Sequence, residues 1–265
     1  MNLDGFALPV KKLKGTDTVE TLDLSGKNLG VASAVVIASL ISVNGGLTKL
    51  SLAVNRLGEE GTKAICKALE QNTTLKELDI SHSEIGGSAG AKDVAKMVGV
   101  NGGLTALNLS SNSLKDEGVN AVCEAIQSNK ETKLASLNFS YNSIGPVGAN
   151  AVAAMVAVTG ALTALNLSSN DIGSHWDYDQ DEIVSTPEGP KAIADALLVN
   201  GALTALDLSS NDLKDEGVCA VCEAIQSNKE TKLASLNFKN NGIGPGGANA
   251  VAAMVAVTGA LTKME

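Results

Sequence analysis

The chain has 265 residues, of which 44% are hydrophobic and only 2% aromatic, and it carries 29 acidic against 20 basic side chains for a formal charge of -9. That balance speaks against nucleic acid, whose binders cluster Lys or Arg on phosphates; the one short basic group, Lys11, Lys12 and Lys14, reads as a solvated terminal face. No uncharged stretch approaches the roughly 20 apolar residues of a membrane span, no signal-peptide pattern follows Met1, and four Cys without disulfide-like spacing point to a reducing, cytoplasmic interior.

In chain order, residues 1–18 carry Leu3, Phe6, Leu8, Val10 and Leu13 without a repeating motif and are expected to fold over the first repeat unit as an N-terminal cap. From Val19 the pattern L-x-x-L-x-L-x-x-N-x-L/I recurs. Its first apolar position falls at Val19, Leu47, Leu75, Leu104, Leu134, Leu162, Leu203 and Leu233, with an interrupted ninth at Leu261. The spacings are 28, 28, 29, 30, 28, 41, 30 and 28 residues. Residues 19–265 therefore read as one elongated domain of eight full repeats and a partial ninth, each burying its apolar face on its neighbours.

Within the fourth unit, Leu104, Leu107 and Leu109 face inward while Ala106, Asn108 and Ser110 alternate outward, which is the period of a short strand. Asn112 turns the chain, and its side chain is expected to bond to the backbone of adjacent turns. The position recurs at Asn55, Asn142, Asn170, Asn211 and Asn241, but is Lys27 in the first unit and Ser83 in the third, where looser turns are expected. Leu114 returns to the core. Asp116-Glu117-Gly118 then opens a helix with Val119, Val122, Cys123 and Ile126 on one face, its carboxylates suited to that helix's dipole.

Helices of this length in every unit make Val19–Met264 resemble the ribonuclease-inhibitor-like class of leucine-rich repeats, also seen in NOD-like receptors and Ran GTPase-activating proteins. The resemblance implies an α/β fold, a curved horseshoe solenoid with parallel strands on the concave face and helices on the convex face. In that class it usually implies protein–protein recognition.

Residues Leu104–Thr163 match Leu203–Thr262 almost residue for residue at an offset of 99, an internal duplication. The sequence stops at Leu261–Glu265 inside a ninth strand with no shielding unit after it, which leaves two readings open, a truncated chain or a partner surface through which the chain self-associates.

The functional candidates lie outside the repeat pattern. Outward strand positions are small, polar and weakly acidic; Asn138, Asn166 and Asp207 represent them, with Tyr141 at a strand exit. The 41-residue unit holds an insertion at residues 173–187, GSHWDYDQDEIVSTP, expected to project from one rim. Its His175, Trp176, Asp177, Tyr178, Asp179, Asp181 and Glu182 mix aromatic and acidic groups suited to a protein contact. Asp177, Asp179, Asp181, Ser185 and Glu188 also fall at positions 1, 3, 5, 9 and 12 of a calcium loop, but position 6 is Glu182 instead of Gly. Ser185-Thr186-Pro187-Glu188 reads equally as a helix capping box. Cys219-x-x-Cys222 lacks a second Cys pair for zinc. With two His and no nucleophile–base pairing, no catalytic, cofactor or metal residue is assigned and no enzyme is expected. The reading is a protein-interaction scaffold; a small-GTPase regulator and a calcium-responsive module are the alternatives.

Overall fold

The structure, a computed structural model, describes residues 1–177 and 181–265. Strands β1 (Asn2–Leu3) and β2 (Phe6–Ala7) pair antiparallel, and helix α1 (Val10–Lys14) follows. Five strand–helix units come next: β3 (Thr21–Asp23) and α2 (Val31–Ile41), β4 (Lys49–Ser51) and α3 (Gly58–Leu69), β5 (Glu77–Asp79) and α4 (Gly87–Val98), β6 (Ala106–Asn108) and α5 (Lys115–Ser128), β7 (Ser136–Asn138) and α6 (Pro146–Val158). The sixth unit runs from β8 (Ala164–Asn166) through an antiparallel hairpin, β9 (Ser174–Asp177) and β10 (Glu182–Ser185), to α7 (Glu188–Val199). Then come β11 (Ala205–Asp207) and α8 (Lys214–Ser227), β12 (Ser235–Asn237) and α9 (Pro245–Val257), and β13 (Lys263–Met264).

The strands β3, β4, β5, β6, β7, β8, β11, β12 and β13 form one parallel sheet in chain order, the α/β solenoid that the repeat predicts. Its register is uniform. Leu22, Leu50, Leu78, Leu107, Leu137, Leu165, Leu206 and Leu236 are Cα partners in a single line that ends on Met264. These side chains point between sheet and helices, where the core is continuous from Leu8 to Met254. Truncating one such leucine to Ala should cost about 2–5 kcal/mol, because the rungs above and below cannot collapse into the space.

The turn asparagines tie each unit to the one before. Asn142 Nδ2 donates to Leu109 O at 3.0 Å in the preceding unit and to Phe139 O and Ser140 O in its own, while its Oδ1 accepts from Asn112 N (3.0 Å) and Leu114 N (3.2 Å). Asn55, Asn170 and Asn241 repeat this two-sided pattern. Ser83 does not loosen its turn as expected. The shorter side chain is fully buried, and its hydroxyl donates to Leu52 O at 2.8 Å, taking over the inter-unit bond.

A second ladder, unforeseen in the sequence, runs along the helix C-termini. Asn101 Nδ2 donates to Leu69 O (2.7 Å) and Asn72 O (2.9 Å), and Asn129, Asn200 and Asn228 do likewise to the carbonyl ends of the helices before them. These carbonyls lack intrahelical donors, so the amides satisfy groups that burial would otherwise orphan.

Asp116 and Glu117 stand in the first turn of α5, where their charge suits its dipole, and Asp116 serves the next unit as well: its Oδ1 accepts from Gly145 N at 2.7 Å, at the start of α6. Asp215 likewise accepts from Gly244 N at 2.6 Å, and Asp4 from Gly30 N at 2.8 Å, so the β1–β2 hairpin supplies to α2 what a repeat supplies to its successor. One local expectation needs correction: Ser185 is no capping-box residue. The N-cap of α7 is Pro187 without a side-chain cap bond, and the Ser185 hydroxyl donates to Gly173 O at 3.2 Å because Ser185 belongs to β10.

Candidate functional site

The concave face is built from the outward residues of the parallel strands. In each of seven units an Asp or Asn at the last strand position uses Oδ1 to accept the amide two residues on: Asp23, Asp79, Asn108, Asn138, Asn166, Asp207 and Asn237, at 2.9–3.1 Å. These Asx turns leave the second polar atom of each side chain for the concave surface. Asn138, Asn166 and Asp207 therefore pin the strand exits as well as lining the face. At Asp23, bonds from Ser25, its hydroxyl first and then its amide, hold the carboxyl below the usual carboxylate range.

A groove of about 470 Å³ runs across β3 to β7, lined by Asp23, Lys49, Glu77, Asp79, Asn108 and Asn138 among others. Lys49 and Glu77 pair across it at 2.8 Å, both about half exposed. Asn138 lies at one end of this groove, whereas Asn166 and Asp207 belong to strands farther along the sheet. The signal for its centre was present in the sequence: Lys49 and Glu77 are charged where units four to eight carry Ala or Ser.

At the rim, the residue after each strand exit takes a left-handed conformation. Val54, His82, Ser111, Tyr141, Ser169, Ser210 and Asn240 all have φ between 49° and 57°. The cost of this geometry for residues with a Cβ is offset where the amide donates to the next unit, as Tyr141 N does to Ser168 O (3.0 Å) and His82 N to Ser110 O (2.8 Å). The turn throws the side chain outward, and Tyr141 is 64% exposed.

The insertion leaves the same rim one unit later. Its hairpin register pairs Trp176 with Ile183 and Asp177 with Glu182, and Asp181 is exposed with a φ of 53°. His175, Trp176 and Asp177 lie in β9 and Glu182 in β10, while Tyr178 and Asp179 fall outside the described residues. The root is tight. Gly173 N donates to Asn211 O and Gly173 O accepts Thr186 N, both at 2.9 Å; a Cβ on Gly173 would overlap the Asp212 carbonyl, and one on Gly189 the Ile172 carbonyl. Asn211 Oδ1 is buried there without a hydrogen-bond partner among the described residues, unlike its counterparts in the other turns.

The profile of the family described as Leucine Rich repeat matches residues 71–92, 104–123, 130–153, 162–174, 202–222 and 229–252. The chain is 37% identical over 100 residues to NACHT, LRR and PYD domains-containing protein 13 of Homo sapiens, covering 37% of this chain and 10% of that protein. It is 25% identical over 171 residues to Ribonuclease inhibitor of Mus musculus, covering 64% and 37%. The chain belongs to the leucine-rich-repeat proteins of the ribonuclease-inhibitor-like class. It is also 28% identical over 130 residues to RAN GTPase-activating protein 2 of Arabidopsis thaliana, covering 48% of this chain and 24% of that one. The chain thus spans between 10% and 37% of the length of these three curated relatives.

Three of the four free cysteines of this leucine-rich-repeat protein are buried. Burial pushes the Cys66 and Cys123 thiols far up and that of Cys222 up to about 12, so they pack as small apolar groups. Among the described residues, no three His, Cys, Asp or Glu side chains are grouped to hold a metal ion, and no helix is long and apolar enough to cross a membrane.

Proposed function

We propose that this leucine-rich-repeat protein is a non-enzymatic recognition scaffold that engages a protein partner through the concave face and the rim hairpin. The observation that carries the reading is the doubly pinned strand exit. Asx turns fix the outward residues on one side and the asparagine ladder fixes the turn on the other, so the row is ordered before any partner arrives. Binding to such a face opposes little side-chain and loop entropy, which lets weak polar contacts add up. The contact residues proposed are Asn138, Asn166 and Asp207 on the face, and Tyr141 with His175, Trp176, Asp177, Tyr178, Asp179, Asp181 and Glu182 at the rim. A reducing compartment such as the cytoplasm suits the four free cysteines.

The test is affinity capture from the native source with the intact chain, Lys49→Glu, and the pair Tyr141→Ala with Trp176→Ala. These positions are exposed or on the projecting hairpin, so melting temperature should hold while capture of the partner falls at least tenfold, as for a hot spot. Capture unchanged in both variants would overturn the reading. Likeness to a Ran GTPase-activating protein supports a second reading, regulation of a small GTPase, which a GTP-turnover assay across a GTPase panel would separate. Calcium responsiveness is weaker still, because the Ser185 hydroxyl is already bonded to Gly173 O; calorimetric heat at millimolar calcium would revive it.

A further inference from the structure

The ladder of asparagines along the helix C-termini has a gap at the end of α6. In a complete turn one carboxamide serves four backbone groups: Asn101 Nδ2 donates to Leu69 O and Asn72 O in the preceding unit, and its Oδ1 accepts from Gly103 N (2.8 Å) and Leu104 N (2.9 Å) in its own loop. Asn44 does the same with Lys12 O, Leu13 O, Gly46 N and Leu47 N. After α6 the position is Thr159, which is buried, and its hydroxyl turns back to donate to Met155 O of its own helix at 2.6 Å. The four groups around it are left open. Ala161 N and Leu162 N have no acceptor among the described residues, although Leu162 is buried. Ile126 O keeps one long bond, 3.3 Å from Asn129 N, and Asn129 O one of 3.3 Å from Thr132 N. A pocket of about 260 Å³ opens at this place, lined by Ile126, Asn129, Thr132, Val158, Thr159 and Ala161 among others. Its mouth is clear at Gly160, where an added Cβ would meet nothing within 4 Å.

We propose that this pocket binds a primary carboxamide brought by another molecule, either a small amide or the side chain of a Gln or Asn on a peptide. The arrangement of donors and acceptors selects this group. A cation would suit the carbonyls at the negative end of α5 but would face two N–H groups, with Lys130 beside them. An anion would suit the N–H groups but would be repelled by the same carbonyls. A carboxamide is neutral and carries two donors and an acceptor in one plane. The turns at Asn44 and Asn101 show that one such group reaches all four backbone partners in this arrangement. Val158 and Ala161 offer apolar surface to the carbon atoms that carry the amide. Buried backbone groups left unpaired cost free energy, so a ligand that pairs them gains more than its contact area alone would give. The pocket lies where the chain leaves a helix to enter a strand, whereas the rim hairpin leaves a strand exit, so this site is separate from the proposed partner surface.

Heteronuclear NMR of the isotope-labelled full chain, titrated with propionamide, tests this. The backbone N–H signals of Ala161 and Leu162 should shift and saturate between about 1 and 100 mM, the range expected for so small a ligand. N,N-dimethylpropionamide, which has no N–H to donate, should bind at least tenfold more weakly. Thr159→Asn places the chain's own carboxamide in the gap, so it should remove the propionamide response and raise the melting temperature. Thr159→Val loses the hydroxyl but leaves the gap, and should keep the response. A second titration, with a capped Gly-Gln-Gly peptide, separates the two sources: at least tenfold tighter binding than propionamide assigns the site to a protein side chain, and a smaller gain assigns it to a free amide. No shift at Ala161 and Leu162 would mean that water alone fills the pocket and would overturn the proposal. Equal binding of the two amides, or an undiminished response in Thr159→Asn, would overturn it as well.

Discussion

Residues Gly148–Thr163 and Gly247–Thr262 have the same sequence, yet one segment is core and the other is surface. In α6, Ala149, Val152, Ala153 and Val156 are buried by α7; in α9, their counterparts Ala248, Ala252 and Val255 are exposed and Val251 is half-buried. Ile144 is fully buried and Ile243 38% exposed. Met155 and Met254, which face the sheet, are fully buried in both. The helix forms in either setting, so its formation depends on the unit it belongs to, while the burial of its far face depends on the next unit. Stability in a solenoid is a sum of unit terms and neighbour terms, and this pair isolates the second kind.

The largest expected effect comes from testing that division. Ile144→Ala should cost about 2–4 kcal/mol and Ile243→Ala under about 1 kcal/mol, while Met155→Ala and Met254→Ala should cost similar amounts of about 2–4 kcal/mol. Urea denaturation of the four variants checks this; equal costs for the two isoleucines would break the comparison. Next in size, Asn142→Ala orphans backbone groups in two units and should cost about 3 kcal/mol, each buried orphan costing about 1–3. Asn211→Ala should cost about 1 kcal/mol less, because its Oδ1 accepts nothing among the described residues. An Asn211 effect as large as that of Asn142 would show that its acceptor is satisfied in solution.

The smallest effect is on pH. Amides of Gly247, Gly244 and Gly246 hold Asp215 below the ordinary aspartate value at the start of α9. At Asp4, over α2, the Ser33 hydroxyl is the larger cause and the Gly30 amide the next. A carboxylate with a folded value below its unfolded one, near 4, contributes stability that is complete above that unfolded value and is lost as pH falls through the folded one. Amide protection factors at the first turns of α2 and α9, corrected for the intrinsic pH dependence of exchange, should therefore fall as pH drops below about 4. Asp215→Asn should remove most of this dependence at α9.

The solenoid was legible because inward leucines at fixed spacing leave one arrangement that buries them all. The turn asparagine was legible for the same reason: it recurs at one place in the template. Asn101, Asn129, Asn200 and Asn228 recur too, but at helix ends where two units carry Thr159 and Thr258, and nothing in the local pattern marks them as buried. Asp116 and Gly145 are 29 residues apart, so a contact between them is invisible to any local rule. Asn138, Asn166 and Asp207 looked like exposed polar positions because the amides they accept lie in their own loops. The rim hairpin had no second copy to compare with, and two four-residue strands give too short an alternation to register.

Identical helices that differ only in what lies over them should differ in protection along that face alone. Hydrogen exchange on the full chain measures this directly. Peptides running on to Ala164 and to Lys263 distinguish the two segments. Val152–Val156 is expected to exchange at least tenfold more slowly than Val251–Val255; equal protection of the two would contradict the division between unit and neighbour terms.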